Sequence, residues 1–208
     1  MIYKDRDDAA RELLKILKKD SLVKRGGDNL VIVSLLRGGI IVGKLLANKL
    51  GAGHLPLVVA KIPAPFQEEL AIGALCFDTV YLEKRIIESL NLSRSQISRQ
   101  IEVARTKFDS YLKHFGIEEN LYKKVKNKIA ILVDDGVATG ATARAGALFL
   151  KEQGAKYVVL AVPVAPVDFD PAGFDRFIAV HKDPSFGSVS QFYQDFPQVE
   201  DEEVKKLI

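Results

Sequence analysis

Two carboxylates and a run of small, hydroxyl-bearing residues stand together past the middle of the chain. The apolar run Ile129 to Val133 leads directly into Asp134 and Asp135, and then into Gly136-Val137-Ala138-Thr139-Gly140-Ala141-Thr142. Backbone N–H groups at a helix N-terminus attract anions, because they lack intrahelical partners and the macrodipole is positive there. Ala138 to Thr142 has the small side chains, the two hydroxyls and the free N–H groups of a phosphate cradle, and a helix-like run from Ala143 to Lys151 follows it. Carboxylates beside an anion site make sense when the ligand is a sugar phosphate. The N–H groups take the phosphate, and the aspartates accept hydrogen bonds from a vicinal diol. The same residues also fit a Walker-B-like strand end, or a strand-to-helix turn with capping residues.

A second candidate site is Ser34-Leu35-Leu36-Arg37-Gly38-Gly39. Gly38 and Gly39 let the backbone approach a ligand closely, and Arg37 offers a fixed positive fork for phosphate oxygens. The plainer alternative is a strand-to-helix turn with an exposed arginine. The same join also fits G-x-x-x-x-G-K, over Gly38 to Lys44, so a P-loop NTPase has to be weighed. Against it, Leu45 stands where a hydroxyl should hold magnesium, and Ile40, Ile41 and Val42 are bulky where small residues are needed. Lys61, at the start of Lys61-Ile62-Pro63-Ala64-Pro65, is either a diphosphate contact or a solvated lysine.

The elements that must position these groups alternate between strands and helices. Asp5 to Lys19 has an amphipathic stripe with acids first and lysines last, as the macrodipole favours. Leu30 to Leu36, Leu55 to Ala60, Ile129 to Val133, Tyr157 to Val162 and Phe174 to Val180 read as buried strands, because continuous apolar runs suit a parallel sheet. Gly38 to Lys49 reads as a helix ended by Gly51. Lys61 to Leu70 shows no helical or strand period and reads as a loop. Ala71 to Phe77 and Val80 to Leu82 read as short strands turning at Asp78, and Glu83 to Asn91 as a helix. Ser93 to Phe115 is a long helix capped by Ser93 or Ser95, whose apolar stripe needs a surface to pack on, with a second subunit as one option. After Val162, a loop carries Pro163, Pro166 and Pro171. His181 to Val199 is irregular and aromatic, and either stacks on a planar base or plugs the sheet edge. A short terminal helix follows.

The stretch from Ile129 to Thr142 closely resembles the signature of type I phosphoribosyltransferases: apolar strand, two acidic residues, Thr-Gly-x-Thr loop. The whole chain is similar to a group of small phosphoribosyltransferases of bacteria and archaea, some joined to a hydrolase. The matches are LLRGG, Glu68 to Leu75, ILVDDGVATGATARA, Ala161 to Pro166 and Gln191 to Val204. The resemblance implies a doubly wound α/β fold, a central parallel sheet flanked by helices with a small hood. It implies one domain over 1–208, with a core of about 22–180, a helical insertion at about 83–115 and a C-terminal hood segment at about 181–208. It further implies transfer of ribose 5-phosphate from phosphoribosyl diphosphate (PRPP) to an unidentified nitrogenous acceptor, with Mg²⁺ bound mainly through the donor. Asp134 and Asp135 would hold the ribose hydroxyls. Ala138, Thr139, Gly140, Ala141 and Thr142 would wrap the 5-phosphate, and Leu36, Arg37, Gly38, Gly39 and Lys61 would serve the diphosphate. One departure is visible: the group usually has Arg-Lys where this chain has only Lys61. Hypoxanthine-guanine phosphoribosyltransferases resemble the signature but carry an aspartate before the Thr-Gly pair, where this chain has Ala138. The rival expectation is a non-catalytic protein that senses PRPP and regulates nucleic acid.

A cytoplasmic enzyme fits the composition, as do many other proteins, and the resemblance implies a place in nucleoside metabolism. The 208 residues are 48% hydrophobic and 27% charged, with a formal net charge of +3. No apolar run approaches the ~18–20 residues of a spanning helix. The first residues turn acidic at once, so no signal peptide and no membrane partner are expected. The single Cys76 sits among apolar neighbours and reads as a buried small hydrophobe, with no metal cluster. Between Arg94 and Lys128, nine Lys or Arg are diluted over a long stretch, so a nucleic-acid partner is not expected. A homodimer is the oligomer considered.

Overall fold

The chain opens with α1 (Arg6–Leu17) and the short α2 (Ser21–Gly26), and then enters the sheet through β1 (Leu30–Leu35). This is a computed structural model; it describes residues 2–208 and, at Glu69, the main chain alone, so Met1 and the Glu69 side chain lie outside it. α3 (Gly39–Leu50), β2 (Gly53–Leu57), β3 (Ala60–Ala64), β4 (Gln67–Cys76) and β5 (Thr79–Leu82) follow. Then come α4 (Lys84–Ser89), α5 (Arg94–Phe115), β6 (Ile129–Val133), α6 (Ala141–Glu152), β7 (Tyr157–Pro166), β8 (Arg176–Asp183) and α7 (Asp201–Leu207). Among the described residues no helix is long and apolar enough to cross a membrane.

Five strands form a parallel sheet in the order β2-β1-β6-β7-β8. Every residue of β1 and β6 is buried, Ser34 included, as nearly all-apolar strands require when helices cover both faces. Alternation divides β6 between two cores. Ile131 and Val133 pack with Leu13, Leu17, Val42 and Leu46 of α1 and α3. Ala130 and Leu132 pack on the opposite side with Phe149 and Leu150 of α6. Cys76 is buried in that second core.

The loop expected over Lys61 to Leu70 is a hairpin instead. β3 and β4 pair antiparallel, and with β5 they make a second sheet in the order β3-β4-β5. Pro63 obscured the strand, yet it lies on an edge strand at a register shift, where a missing N–H is tolerated. β7 likewise runs through Pro163, beyond the Ala161 pairing with the end of β6, so that side of the strand has no ladder to lose. Ser93 caps α5 in a capping box. The stripe on α5 is covered by this chain's own small sheet: Phe108 is buried and its ring meets Phe77 edge-on at 5.1 Å. It therefore needs no second subunit. The aromatic segment after β8 plugs the sheet rather than offering open rings, since Phe192 and Tyr193 are buried with Tyr3 and Val164.

Candidate active site

β1 and β6 lie side by side in parallel, with Ser34 opposite Val133, but their crossovers diverge. The first passes through α3 to β2, the second through α6 to β7 on the other side. Such a reversal opens a crevice beyond the carboxyl ends of the strands, where ligands of doubly wound sheets bind. Both candidate motifs fall there. A methyl group on Gly39 would lie 2.7 Å from the Val133 carbonyl oxygen, and one on Gly38 would displace the Asp135 carboxylate, so the glycines let the two loops close together. The Leu36–Arg37 peptide is cis.

A cavity of about 410 Å³ is lined by Leu36, Arg37, Gly38, Lys61, Asp134 and Asp135. Lys107 and Tyr111 of α5 close its outer side, and Thr142 lies on its border. An adjoining hollow of about 210 Å³ takes in Ala138, Thr139 and Gly140 with the same two aspartates. Gly39 and Ala141 are buried behind these walls.

The hollow has the uncapped helix end that favours an anion. α6 starts at Ala141, and its N-cap, Gly140, has φ 82° and offers no side-chain acceptor. The N–H groups of the first turn therefore keep no partner within the helix and stay available. Arg144, one turn on, holds the loop in place: Nη1 donates to the Thr139 carbonyl at 2.6 Å and Nη2 to the Asp170 carbonyl at 2.7 Å. The same guanidinium faces the Glu83 carboxylate at 3.7 Å, which balances its charge.

The two aspartates are not equivalent. Asp135 Oδ2 accepts from Arg6 Nε at 2.8 Å, and the Asp135 carbonyl accepts from the Tyr193 hydroxyl at 2.5 Å. Arg6 is itself clamped, donating to the Pro197 carbonyl at 2.7 Å beneath the Phe196 ring, 3.8 Å from its centroid. Asp134 Oδ1 accepts only the Asp135 N–H among the described residues, at 2.9 Å. Burial, and then the Asp135 carboxylate, push the Asp134 carboxyl well above the usual range. Burial raises Asp135 as well, and the Arg6 guanidinium opposes that rise. Arg6→Ala would leave Asp135 buried without its counter-ion, and is expected to cost about 2 kcal/mol at neutral pH. The loss should shrink on acidification, because Asp135 can then take up a proton; urea unfolding at pH 5 and pH 7.5 measures this.

Arg37 reaches the cavity from the β1 end, where Nη1 contacts Asp201 Oδ1 at 3.2 Å. Lys44 points elsewhere, donating to the Leu207 carbonyl at 3.0 Å. Gly39–Leu50 is helical, so Gly38 to Lys44 cannot wrap a phosphate, and the P-loop reading is overturned. Arg6 and Arg144 are the residues that sequence reasoning missed. Arg6 did leave a signal, since a cation in the first turn of α1 opposes the macrodipole and so calls for a carboxylate elsewhere.

Comparison with known proteins comes to the same fold. Residues 2–173 match the family described as phosphoribosyl transferase domain. A Mycobacterium tuberculosis protein provisionally named a phosphoribosyl transferase is 33% identical over 207 residues, 98% of this chain and 45% of that protein. The chain thus spans about half the length of the curated relatives it matches. The crystal structure of TT1426 from Thermus thermophilus is similar with a TM-score of 0.72 and 28% identity, covering 100% of this chain and 97% of that one. A hypoxanthine phosphoribosyltransferase from Staphylococcus aureus shares the fold at TM-score 0.50 and 11% identity, over 86% of this chain and 75% of its own.

Proposed function

Since the chain belongs to the phosphoribosyltransferase family, we propose that it transfers ribose 5-phosphate from PRPP to a nitrogenous acceptor. The observation that carries this reading is the uncapped N-terminus of α6 beside Asp134 at a sheet switch point. The 5-phosphate would sit on the first-turn N–H groups, and Asp134 would accept hydrogen bonds from the ribose diol, with Asp135 held beside it by Arg6. Arg37 and Lys61 would face the diphosphate. As the bond between C1 and the diphosphate oxygen breaks, positive charge develops on the sugar and negative charge on the leaving group. The acceptor nitrogen forms the new bond to C1 and gives up its proton. Positioning and fixed charge supply most of the acceleration in such a site.

Magnesium is the proposed cofactor. Among the described residues no group of three or more His, Cys, Asp or Glu could hold a metal. The donor set therefore fits an ion carried mainly by oxygens of PRPP, with Asp134 as the protein carboxylate at hand, in keeping with the preference of Mg²⁺ for phosphates and few protein ligands. When bound, it would neutralise charge on the diphosphate. The proposal extends to a cytoplasmic role in nucleoside metabolism.

A non-catalytic PRPP sensor would need the same donor site but no room for an acceptor. A further cavity of about 790 Å³, sharing Lys61 and Lys107 with the donor cavity, favours the transferase. Donor affinity should fall about tenfold for Arg37→Ala, the value of one charge-assisted hydrogen bond, and stay within about twofold for Lys44→Ala. Calorimetry with PRPP and Mg²⁺ measures both, and the reverse pattern would overturn the assignment.

A further inference from the structure

The cavity of about 790 Å³ lies between the β3–β4 hairpin and one face of α5. Its volume falls in the upper part of the ~300–1,000 Å³ range of ligand pockets, more than a bare base would fill. Lys61, Arg99 and Lys107 line it, with Glu68 opposite. Among the described residues none of these three cations makes a side-chain hydrogen bond or ion pair, whereas Arg105 on the same helix is held by the Phe77 carbonyl and Asp78. Lys61 and Lys107 also line the donor cavity, so a diphosphate there could engage them. Arg99 does not line that cavity. It stands eight residues before Lys107 on the same helix, which at 1.5 Å per residue is about 12 Å farther along the wall. Arg99 is thus a cation of the large cavity that the donor cavity does not share. Gln100, half-buried beside Arg99, adds amide donors, and Pro63, Pro65 and Val103 supply an apolar wall.

We infer that the acceptor carries a negative charge, as a carboxylate or a phosphate, and that Arg99 with Gln100 binds that group. The inference rests on the transferase reading. Arg99 is an exposed residue on the wall of the cleft, and its planar guanidinium, without a protein partner among the described residues, selects an anion in this way because it offers paired donors and is weakly hydrated. The charged end would lie toward Arg99 and the reacting nitrogen toward Lys61, where the two cavities meet.

The test uses matched probes on the whole chain, with PRPP and Mg²⁺ saturating so that the donor's own anion sites are filled. Orotate is compared with uracil, and phenyl phosphate with phenol, by calorimetry; turnover of a probe counts as binding. The charged member of at least one pair should bind about tenfold tighter, the value of one charge-assisted contact. Whichever pair shows the preference identifies carboxylate or phosphate. Arg99→Gln should erase the preference and Arg99→Lys should retain most of it, while PRPP binding in both variants reports an intact fold. Equal binding within both pairs, or a preference that survives Arg99→Gln, would overturn the inference. Failure of the wild type to bind PRPP would instead refute the transferase reading itself.

Discussion

Replacing Asp134 and Asp135 together by asparagine should weaken PRPP binding about a hundredfold. Each carboxylate hydrogen bond to a sugar hydroxyl is worth roughly 1.5–3 kcal/mol, and an amide recovers only part of that. Asp134→Asn alone should at the same time raise stability at neutral pH. The sign follows from the raised carboxyl: the folded chain holds that proton more tightly than the unfolded chain does. Stability is therefore lost as pH rises from the unfolded value of ~3.9 toward the raised folded one, and removing the charge restores it. Each 1 kcal/mol regained in this way corresponds to about 2–4 °C in Tm for a chain of this size. Affinity for PRPP should also decline on acidification while the pH is still above the ordinary aspartate range, since Asp134 must be charged to serve a diol. Calorimetry and thermal melts of the two variants between pH 5 and pH 8 follow both effects. A double variant that binds normally, or an Asp134→Asn protein that melts earlier, contradicts this account of the site.

The second large effect concerns 6-oxopurines. Ala138 lines the hollow proposed for the 5-phosphate, at the position where hypoxanthine-guanine enzymes of similar signature carry an aspartate. Its methyl group can neither take a proton nor hydrogen-bond. Positioned proton transfer contributes about 10²–10⁴-fold, so hypoxanthine and guanine should be poor acceptors by that margin. Steady-state assays with both purines, on the wild type and on Ala138→Asp, decide the point. Wild-type turnover in the usual range of ~1–10³ s⁻¹ would show the inference wrong.

The candidate site at the ends of β1 and β6 was legible as a cluster because its parts are contiguous in sequence. β6, the two aspartates and the first turn of α6 follow one another between Ile129 and Thr142, and a buried parallel strand leaves an unbroken apolar run that is hard to mistake. LLRGG was legible for the same reason. What escaped notice depends on distant pairing. Arg6 and Asp135 are 129 residues apart, and only the packing of α1 against α3 and the sheet brings them into contact. The β3–β4 hairpin was hidden because a proline on an edge strand, Pro63, looks like a loop residue when neither partner strand nor register can be seen. With it was hidden the large cavity, one wall of which is that hairpin. The aromatic C-terminal segment left two readings open, and the burial of Phe192 and Tyr193 against Tyr3 decides for the plug.

The central claim is chemical: this fold breaks the bond between ribose 5-phosphate and diphosphate in favour of a nitrogen acceptor. ³¹P NMR follows that bond directly. PRPP, Mg²⁺ and the protein are incubated with a panel of nitrogenous acceptors, neutral and anionic. The account predicts that inorganic diphosphate appears together with a new 5-phosphate resonance, only when a suitable acceptor is present, and that both signals vanish with the Asp134→Asn, Asp135→Asn double variant. PRPP that binds but remains intact across the whole panel, or diphosphate release unchanged in the double variant, would contradict it.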